Sequence, residues 1–285
     1  MAALRSVALP SGDKVVALGQ GTWRMGEQAS KRADEVMALQ LGLDLGMSLI
    51  DTAEMYADGA SEEVVAEAIA GKRNRVFLVT KVLPSNAARK AVVQAGERSL
   101  KRLKTDRIDL YLLHWRGGVP LAETLAGFRD LQKAGKIRSY GVSNFDVNDM
   151  KEWLALENGT GKAGDQVQTN QVLYNVGTRG IDFDLLPFQA KAGIPIMAYS
   201  PLAQGRLPKS AALKAVAARH QATAGQVMLA WCLRVKSVFA VPKTSRLEAV
   251  RENAAAGDLA LTQQDLAEID RDFPPPARAK PLEML

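Results

Sequence analysis

The sequence predicts an α/β fold, a (β/α)8 TIM barrel, from three observations. Eight short apolar segments are rich in branched aliphatic residues and nearly continuous in hydrophobicity, as in strands buried on both faces of a parallel sheet. Segments with apolar residues three and four apart, typical of amphipathic helices, separate them. The 285 residues fit one barrel, and no linker rich in Pro, Gly or Ser divides them. We therefore expect a single barrel domain over residues 1–285.

The expected elements alternate along the chain. The strands are 15–19, 47–50, 76–80, 108–113, 137–142, 167–171, 194–199 and 238–241. The helices are 31–46, 61–70, 86–103, 120–134, 146–156, 182–192, 209–220 and 223–234. The Pro/Gly turn in SVALPSGDKVV predicts an N-terminal β-hairpin that closes the bottom of the barrel. Two extra helices, 246–254 and 262–272, follow the eighth strand and precede a tail that contains PPP.

Composition narrows the expected setting. The first residues form no apolar stretch long enough for a signal peptide, and no segment reaches the roughly 18 apolar residues of a membrane helix. Cys232 is the only cysteine, so we expect a reducing cytoplasm and a thiol packed in a core. The net charge of +6 is spread over many helices without interleaved aromatic residues, which favours a small polyanionic ligand over nucleic acid. We expect a monomer.

Four polar residues lie at or just after the carboxyl ends of apolar segments: Asp51, Tyr56, Lys81 and His114. Each also has an ordinary structural interpretation. Asp51 fits a turn or a helix cap, and Tyr56 fits the boundary of a core. Lys81 fits a solvated strand end, although lysine is poorly suited to that position, and His114 fits a core histidine. The other histidine, His220, is expected on a helix surface.

The four residues gain weight as a set, because the barrel brings the ends of strands two, three and four to one mouth, where active sites of this fold lie. Together they suit proton transfer at a carbonyl. The ammonium of Lys81, held charged by Asp51, lowers the pKa of a nearby phenol such as Tyr56. A neutral His114 donates a hydrogen bond to the substrate oxygen. No nucleophile, metal cluster or carboxylate pair accompanies the set, which argues against hydrolases and metalloenzymes.

Polar segments after strands five to eight predict a nucleotide site on the same mouth. The segments are SNFD, TNQ, AYSPLAQG and VPKTSRLEAVRENA. The amides and hydroxyls in these segments can bind a carboxamide, and the aromatic ring can stack on a flat ring of the ligand. The cations precede the amino terminus of a helix, a position that favours binding of phosphate. The groups are Ser143, Asn144 and Gln171, the ring of Tyr199, the backbone of the loop 200–205, and Lys243, Thr244 and Arg246. The glycines of LGQGTWRMG are a weak signal, because they open no two-layer dinucleotide unit.

The chain resembles the aldo-keto reductases over nearly its whole length. The motifs GQGTW, LIDTAEMY, TK, LHW, GVSN, NQ, YSPL, PKTS and EN occur in the family's order. Within the family it is similar to bacterial enzymes that reduce methylglyoxal and other small aldehydes. The resemblance implies a barrel that binds NADPH in extended form and passes hydride to a carbonyl carbon while Tyr56 protonates the oxygen. Lys81 and Asp51 would tune Tyr56, and His114 would orient the carbonyl.

The resemblance also implies the cofactor contacts. Asp51, Ser143, Asn144 and Gln171 would hold the nicotinamide end with Tyr199 stacked on its ring, Ser200 and Leu202 would line the pyrophosphate, and Lys243, Thr244, Glu252 and Asn253 would hold the adenosine phosphate end. Gly21, Thr22, Trp23, Pro201, Gln204, Gly205, Ser245 and Arg246 complete the expected set. The expected substrate pocket is lined by Trp23, Tyr56, His114 and Trp115, with Met25 or Met55 beside them. Alternatively, the two tryptophans pack at the barrel top without touching substrate.

Two departures from the family pattern bear on specificity. Many members carry an arginine six residues after the phosphate-binding lysine, where this chain has Ala249, and Arg246 stands three residues earlier. NADPH is expected, with NADH as an alternative cofactor. The segments after Leu83, Trp115 and Phe273 are short, which predicts an open site for varied small or aromatic aldehydes.

Two other functions remain open from the sequence. The same barrel occurs in regulatory subunits that bind NADP and sense redox state with little turnover, but the lack of an added interaction domain favours an independent enzyme. A barrel that acts on sugar phosphates would use Lys243 and Arg246 to bind phosphate. The physiological substrate is not set by the sequence, because loops form the pocket walls.

Overall fold

The computed structural model describes residues 4–157 and 165–285, so the expected domain 1–285 includes residues outside the described ranges. An N-terminal hairpin is formed by β1 (Ser6–Ala8) and β2 (Lys14–Val16). The barrel strands are β3 (Gln20–Gly21), β4 (Leu49–Asp51), β5 (Phe77–Val82), β6 (Ile108–Leu113), β7 (Ile137–Ser143), β8 (Asn170–Leu173), β9 (Ile196–Tyr199) and β10 (Val238–Val241). The α-helices are α1 (Arg32–Asp44), α2 (Ala60–Ala68), α3 (Arg89–Leu103), α4 (Leu121–Lys133), α5 (Val147–Glu157), α6 (Leu185–Ala192), α7 (Ala211–Arg219), α8 (Ala224–Leu233), α9 (Leu247–Ala255) and α10 (Gln263–Asp272).

The eight strands β3 to β10 pair in parallel in their order along the chain. The two ends of the sheet meet, because Leu18 pairs with Ala240 and the Gly21 amide donates to the Pro242 carbonyl at 2.9 Å. A Cβ atom on Gly21 would lie 2.8 Å from the Val241 carbonyl oxygen, so the close approach of the two strands requires glycine. The predicted (β/α)8 barrel is confirmed.

The first barrel strand lies later than the sequence predicts. The segment 15–19 is wrong as that strand, because its first two residues belong to β2, where Val7 pairs with Val15 and Ser6 with Val16. The hairpin uses their backbone groups, and the barrel strand begins only at Gln20. The other seven predicted strands and all ten predicted helices overlap observed elements, and the N-terminal hairpin is confirmed.

The hairpin closes the amino end of the barrel and leaves the carboxyl end as the mouth. Its buried residues pack against the apolar barrel interior in one cluster that includes Val7, Leu9, Val15, Leu49, Val79, Leu110, Leu112, Met197 and Phe239. Polar residues occupy the opposite ends of the strands. There the register places Asp51 beside Gly21 and Ser143 beside Gln171. The functional side chains are therefore to be sought at the carboxyl end.

Two smaller expectations have different outcomes. Cys232 is fully buried in the core, as predicted. The expected position of His220 on a helix surface is met only in part: the residue follows the last residue of α7, its side chain is 20% exposed, and Nε2 lies 2.8 Å from Asp265 Oδ2 on α10. Among the described residues, no helix combines the length and the apolarity needed to cross a membrane.

Candidate active site

Lys81 is fully buried at the penultimate position of β5. Its Nζ lies 2.8 Å from Asp51 Oδ1 and 2.9 Å from Oδ2, and it donates to the Thr52 carbonyl at 2.8 Å. Burial opposes the charged form of the lysine. The adjacent Asp51 carboxylate and the Tyr56 hydroxyl outweigh that penalty and raise the pKa of Lys81 above its ordinary value. The ammonium is therefore stable inside the barrel as part of a buried ion pair.

Tyr56 begins a turn, Tyr56–Gly59, in the segment between β4 and α2. Its hydroxyl oxygen lies 3.3 Å from Lys81 Nζ, and its ring meets the His114 ring edge-on at a centroid distance of 5.7 Å. Burial raises the pKa of Tyr56 more than the Lys81 charge lowers it, and the Asp51 charge adds to the rise. Lys81 lowers this pKa as expected, but the net shift is upward, because burial and the Asp51 charge outweigh the lysine.

His114 follows the last residue of β6 and is 7% exposed. Its backbone amide donates to the Val82 carbonyl at 3.0 Å, which fixes it beside the end of β5. Burial, and then the charge of Lys81, hold the pKa of His114 well below its ordinary value. The imidazole is neutral, as predicted. Its Nδ1 is buried with no hydrogen-bond partner among the described residues.

Three hydroxyl and amide side chains connect β7 and β8 to these residues. Ser143 Oγ donates to the Gln171 carbonyl at 2.9 Å, and Asn144 Nδ2 donates to the His114 carbonyl at 3.1 Å. Gln171 Nε2 donates to Asp51 Oδ1 at 2.8 Å. The predicted carboxamide-binding groups and the four strand-end residues therefore form one hydrogen-bonded cluster.

Tyr199 ends β9 beside this cluster. Its hydroxyl donates to Asn144 Oδ1 at 3.1 Å, and burial raises the pKa of Tyr199 to about 12. The next residue, Ser200, is held by Asn175, whose Nδ2 donates to the Ser200 carbonyl at 3.1 Å. The loop 200–205 thus leaves the barrel from a fixed point, with Pro201 buried and Gln204 and Gly205 exposed.

Left-handed backbone conformations concentrate at the mouth. Of nine non-glycine residues with positive φ in the described ranges, seven lie in segments that follow barrel strands, and the other two, Lys104 and Gln221, follow helices. Such conformations cost roughly 1–3 kcal/mol each and cluster at functional sites. The seven residues are Arg24, Ala57, Asp58, Asn144, Ser200, Ala203 and Gln204.

The predicted phosphate end lies between β10 and α9. Lys243 and Arg246 are exposed, and Arg246 immediately precedes the first residue of α9. A Cβ atom on Gly21 would lie 3.7 Å from Lys243 Cβ, so the segment after β3 adjoins the lysine. Farther along α9, Glu252 is exposed and Asn253 is 7% exposed. This segment therefore presents two cations at a helix amino terminus, an arrangement that suits an anionic group.

The expected pocket residues do not all reach the surface. Trp23 is 36% exposed and Met55 is 40% exposed. Trp115 is partly exposed, and its ring centroid lies 4.9 Å from that of His114. Met25 is fully buried in the core and is excluded as a pocket residue. Trp23, Met55 and Trp115 therefore keep partly exposed apolar surface, and the ring of Trp115 contacts the polar cluster at His114.

Sequence reasoning missed two residues that hold the mouth together. Glu54 Oε1 accepts from the Leu83 amide at 2.8 Å and from Asn86 Nδ2 at 2.9 Å, which ties the segment after β4 to the segment after β5. Its position inside LIDTAEMY was the available signal. Asn175, which holds Ser200, has no comparable local signal.

The chemistry of the cluster is that of proton donation. A protonated phenol beside a buried ammonium can give its proton to a bound oxygen, and the ammonium then stabilises the phenolate. A neutral imidazole within ring contact of that phenol can orient the same oxygen. Within residues 4–157 and 165–285, no three His, Cys, Asp or Glu side chains are grouped as metal ligands.

Comparisons with known proteins find a matching family and similar chains. The model of the aldo/keto reductase family matches residues 17–271. Methylglyoxal reductase YeaE of Escherichia coli is 48% identical over 281 residues, covering 96% of this chain and 97% of that protein. Glyoxal reductase of Bacillus subtilis is 31% identical over 265 residues, covering 93% and 91%. The crystal structure of an aldo/keto reductase from Klebsiella pneumoniae in complex with NADP and acetate has a TM-score of 0.93 at 46% identity, covering 99% of this chain and 100% of that chain.

Proposed function

Because this chain belongs to the aldo/keto reductase family of oxidoreductases, we propose that it reduces methylglyoxal and other small or aromatic aldehydes and ketones to alcohols with NADPH. The single observation that carries the proposal is the contact between the Tyr56 hydroxyl and the buried Lys81–Asp51 ion pair, beside a neutral His114. The two bacterial relatives are named for the reduction of methylglyoxal and glyoxal, which supports small dicarbonyl substrates.

Tyr56 is the proton donor in this proposal. Its raised pKa keeps the hydroxyl protonated at neutral pH, as an acid must be before it reacts. When the proton leaves, the negative charge forms 3.3 Å from Lys81 Nζ, where the ammonium stabilises it. Asp51 holds that ammonium in position.

His114 positions the substrate oxygen. The imidazole is neutral, so only one ring nitrogen carries a proton. Nδ1 is enclosed without a partner, and Nε2 is the nitrogen left to donate to a substrate. A donor held in this way favours one orientation of the carbonyl over Tyr56.

The residues at the mouth fit a nicotinamide cofactor. NADPH supplies the hydride when bound. Ser143, Asn144 and Gln171 present hydroxyl and amide groups at the barrel centre, and Tyr199 presents a ring beside them. The exposed cations Lys243 and Arg246 at the start of α9 would hold the adenosine phosphate end. The remaining expected contacts are Gly21, Thr22, Trp23, Asp51, Ser200, Pro201, Leu202, Gln204, Gly205, Thr244, Ser245, Glu252 and Asn253.

The proposed substrate pocket is bounded by Trp23, Trp115 and Met55. Trp115 contacts the ring of His114, Met55 directly precedes Tyr56, and the partly exposed apolar surfaces of all three would hold the organic part of an aldehyde. The regulatory-subunit alternative is not favoured, because proteins named as reductases align with more than 90% of the chain. We also propose that the protein acts in the cytoplasm as a monomer with one barrel domain.

Turnover of a small substrate panel tests the proposal. Methylglyoxal, an aromatic aldehyde and an aldose are each offered with NADPH and with NADH, and cofactor oxidation is followed by absorbance. We expect methylglyoxal and the aromatic aldehyde to be reduced with NADPH. Tyr56→Phe should lose at least about a hundredfold in kcat, the lower range for general acid catalysis, while still quenching nicotinamide fluorescence on binding.

Tyr111→Phe is the matched control. Tyr111 is buried in β6, and its hydroxyl has no hydrogen-bond partner among the described residues. Its loss should leave turnover unchanged. Equal turnover by Tyr56→Phe and the control would refute the assigned acid, and no turnover by the wild-type protein with any carbonyl would refute the function.

A further inference from the structure

Gln171 donates a hydrogen bond to Asp51, the carboxylate that is paired with Lys81 next to the proposed proton donor, Tyr56. Its Nε2 lies 2.8 Å from Asp51 Oδ1, the oxygen that also lies 2.8 Å from Lys81 Nζ. Gln171 is 2% exposed and Asp51 is 3% exposed, so water does not compete for this bond. An ionised carboxylate only accepts hydrogen bonds, so the amide of Gln171 must turn its nitrogen toward Asp51.

The strand environment holds Gln171 in this position. Its carbonyl accepts two hydrogen bonds from β7 and the residue after it, from Ser143 Oγ at 2.9 Å and from the Asn144 amide at 2.8 Å. On the other side it pairs with Met197 of β9. The side chain therefore reaches Asp51 from a backbone that is fixed on both sides.

We propose that Gln171 is a positioning residue for the proton transfer, acting through Asp51 and Lys81 on Tyr56. The inference rests on the proposed reductase function and deepens it, because the expected role of Gln171 is only to hold the nicotinamide end. By donating to Asp51, Gln171 takes up part of the carboxylate charge. Less of the Lys81 charge is then neutralised, and more of it acts on Tyr56.

The Gln171–Asp51 contact acts on the proton transfer of the proposed reduction. NADPH, when bound, would supply the hydride that forms the new C–H bond at the carbonyl carbon as the C=O π bond breaks. The Tyr56 hydroxyl gives its proton to the carbonyl oxygen, which yields the alcohol, the oxidised cofactor and a phenolate. A proton from water restores the tyrosine. Gln171 acts on the phenolate, whose stability sets how readily the proton leaves.

Four titratable groups surround this step among the described residues. Lys81 on β5 favours the Tyr56 phenolate, whereas Asp51 on β4 disfavours it. His114 after β6 is neutral, and the hydroxyl of Tyr199 on β9 stays protonated near neutral pH. Asp51 is thus the group through which the neutral amide of Gln171 can change the stability of the Tyr56 phenolate.

Gln171→Met tests the contact by removing the donor at similar length. The carboxylate loses one of its hydrogen bonds, so the phenolate becomes harder to form. We expect kcat at saturating NADPH and pH 7 to fall about tenfold, the effect of one hydrogen bond to a charged group. The alkaline limb of the kcat–pH profile should move to higher pH.

Gln171→Glu tests the same contact by rescue. A protonated glutamic acid can donate to Asp51, whereas an ionised glutamate beside Asp51 cannot, and the like charge raises the pKa of the new carboxyl. We expect turnover close to wild type at acidic pH and a loss of turnover as pH rises and the carboxyl ionises. Gln171→Met should show no such recovery at low pH.

Gln168→Met is the matched control. Gln168 is a fully buried glutamine near the opposite end of the barrel, where its Oε1 accepts from the Ser11 amide at 2.8 Å. Its loss should leave the kcat–pH profile unchanged. Binding of NADPH is measured for every variant by nicotinamide fluorescence, so that a weaker cofactor contact is separated from slower proton transfer.

The results separate three outcomes. If the Gln171 variants weaken NADPH binding but keep the wild-type kcat–pH profile at saturation, Gln171 is a cofactor contact only and the inference is overturned. If the wild-type protein reduces no carbonyl, the proposed function fails instead. In that case the role of Gln171 is tested without turnover. The amount of Tyr56 phenolate is measured from ultraviolet difference spectra against Tyr56→Phe at the most alkaline pH that preserves the fold. Less phenolate in Gln171→Met than in wild type supports it, and an equal amount overturns it.

Discussion

Lys81 carries its charge where lysine is seldom found, at zero exposed surface inside a barrel. Asp51, the Thr52 carbonyl and the Tyr56 hydroxyl surround its Nζ. Bringing two charges out of water costs several kcal/mol per ion, and the attraction between them offsets that cost only while both are present. The ion pair therefore adds little net stability, but removing either partner alone is strongly destabilising.

This requirement gives a prediction for stability. Lys81→Met leaves Asp51 buried without its partner and should lower the free energy of unfolding by about 3–5 kcal/mol. The double variant Lys81→Met, Asp51→Leu removes both charges and should regain much of that loss while remaining inactive. Urea denaturation measures both. A double variant that is no more stable than Lys81→Met would show that the buried charge is not the source of the loss.

His114 gives a prediction for pH. Its pKa in the folded state is well below the value of about 6.5 expected for an unfolded chain. Below about pH 6.5 the unfolded state binds a proton that the folded state does not, so the free energy of unfolding falls as pH falls. His114→Gln should remove up to about 1.4 kcal/mol per pH unit from this slope. Parallel stability curves for wild type and variant from pH 7 down to 5 would contradict the assignment.

The candidate residues were predictable one by one, but the state of one of them was not. Asp51, Lys81 and His114 each follow an apolar run, and a barrel brings such ends together. The pKa of Tyr56 depends on how deeply the hydroxyl is buried and how far Asp51 offsets Lys81, and neither quantity can be read from a sequence. The sequence therefore predicted which side chains meet and how Lys81 acts on Tyr56, but not the net upward shift of the Tyr56 pKa.

At the level of elements, five helices, α4, α5, α8, α9 and α10, were predicted to within one residue at both ends. Both α8 and α10 begin with a capping box, in which Thr223 pairs with Gln226 and Thr262 with Asp265. A threonine followed three residues later by such a partner is visible in the sequence. The predicted helices 223–234 and 262–272 agree with the observed ends to within one residue. The helix predicted at 182–192 begins only at Leu185, because a separate 3-10 turn, Gly180–Asp182, precedes it.

The capping box of α10 gives a prediction of its own. Thr262 Oγ1 accepts from the Asp265 amide at 3.2 Å, and Asp265 Oδ2 accepts from the Thr262 amide at 2.8 Å. Thr262→Ala should lower the free energy of unfolding by about 1 kcal/mol. Gln263→Ala changes the next exposed residue and should have a smaller effect. Equal effects of the two substitutions in urea denaturation would show that the box does not stabilise the helix.

At the scale of the whole molecule, the sequence predicted the barrel architecture but not the contacts that cross the barrel. Alternating apolar runs and amphipathic segments are local patterns, and they were enough for the strand count. The hydrogen bond from Gln171 to Asp51 joins residues 120 positions apart in the sequence. It forms across the barrel interior, because the sheet closes where the end of β10 meets β3. The walls of the substrate pocket are still harder to predict. Met25 and Met55 each lie in a short segment after a barrel strand, yet Met25 is fully buried and Met55 is exposed.

The proposed reaction depends on the whole molecule, because hydride donor, carbonyl and proton donor must meet at one mouth. It is tested most directly with NADPH that carries deuterium at the transferable nicotinamide position, methylglyoxal as substrate, and mass spectrometry of the product. We predict one deuterium on the newly formed carbinol carbon with wild-type protein and almost no product with Tyr56→Phe. An alcohol without deuterium, or labelled alcohol formed at the wild-type rate by Tyr56→Phe, would contradict the account.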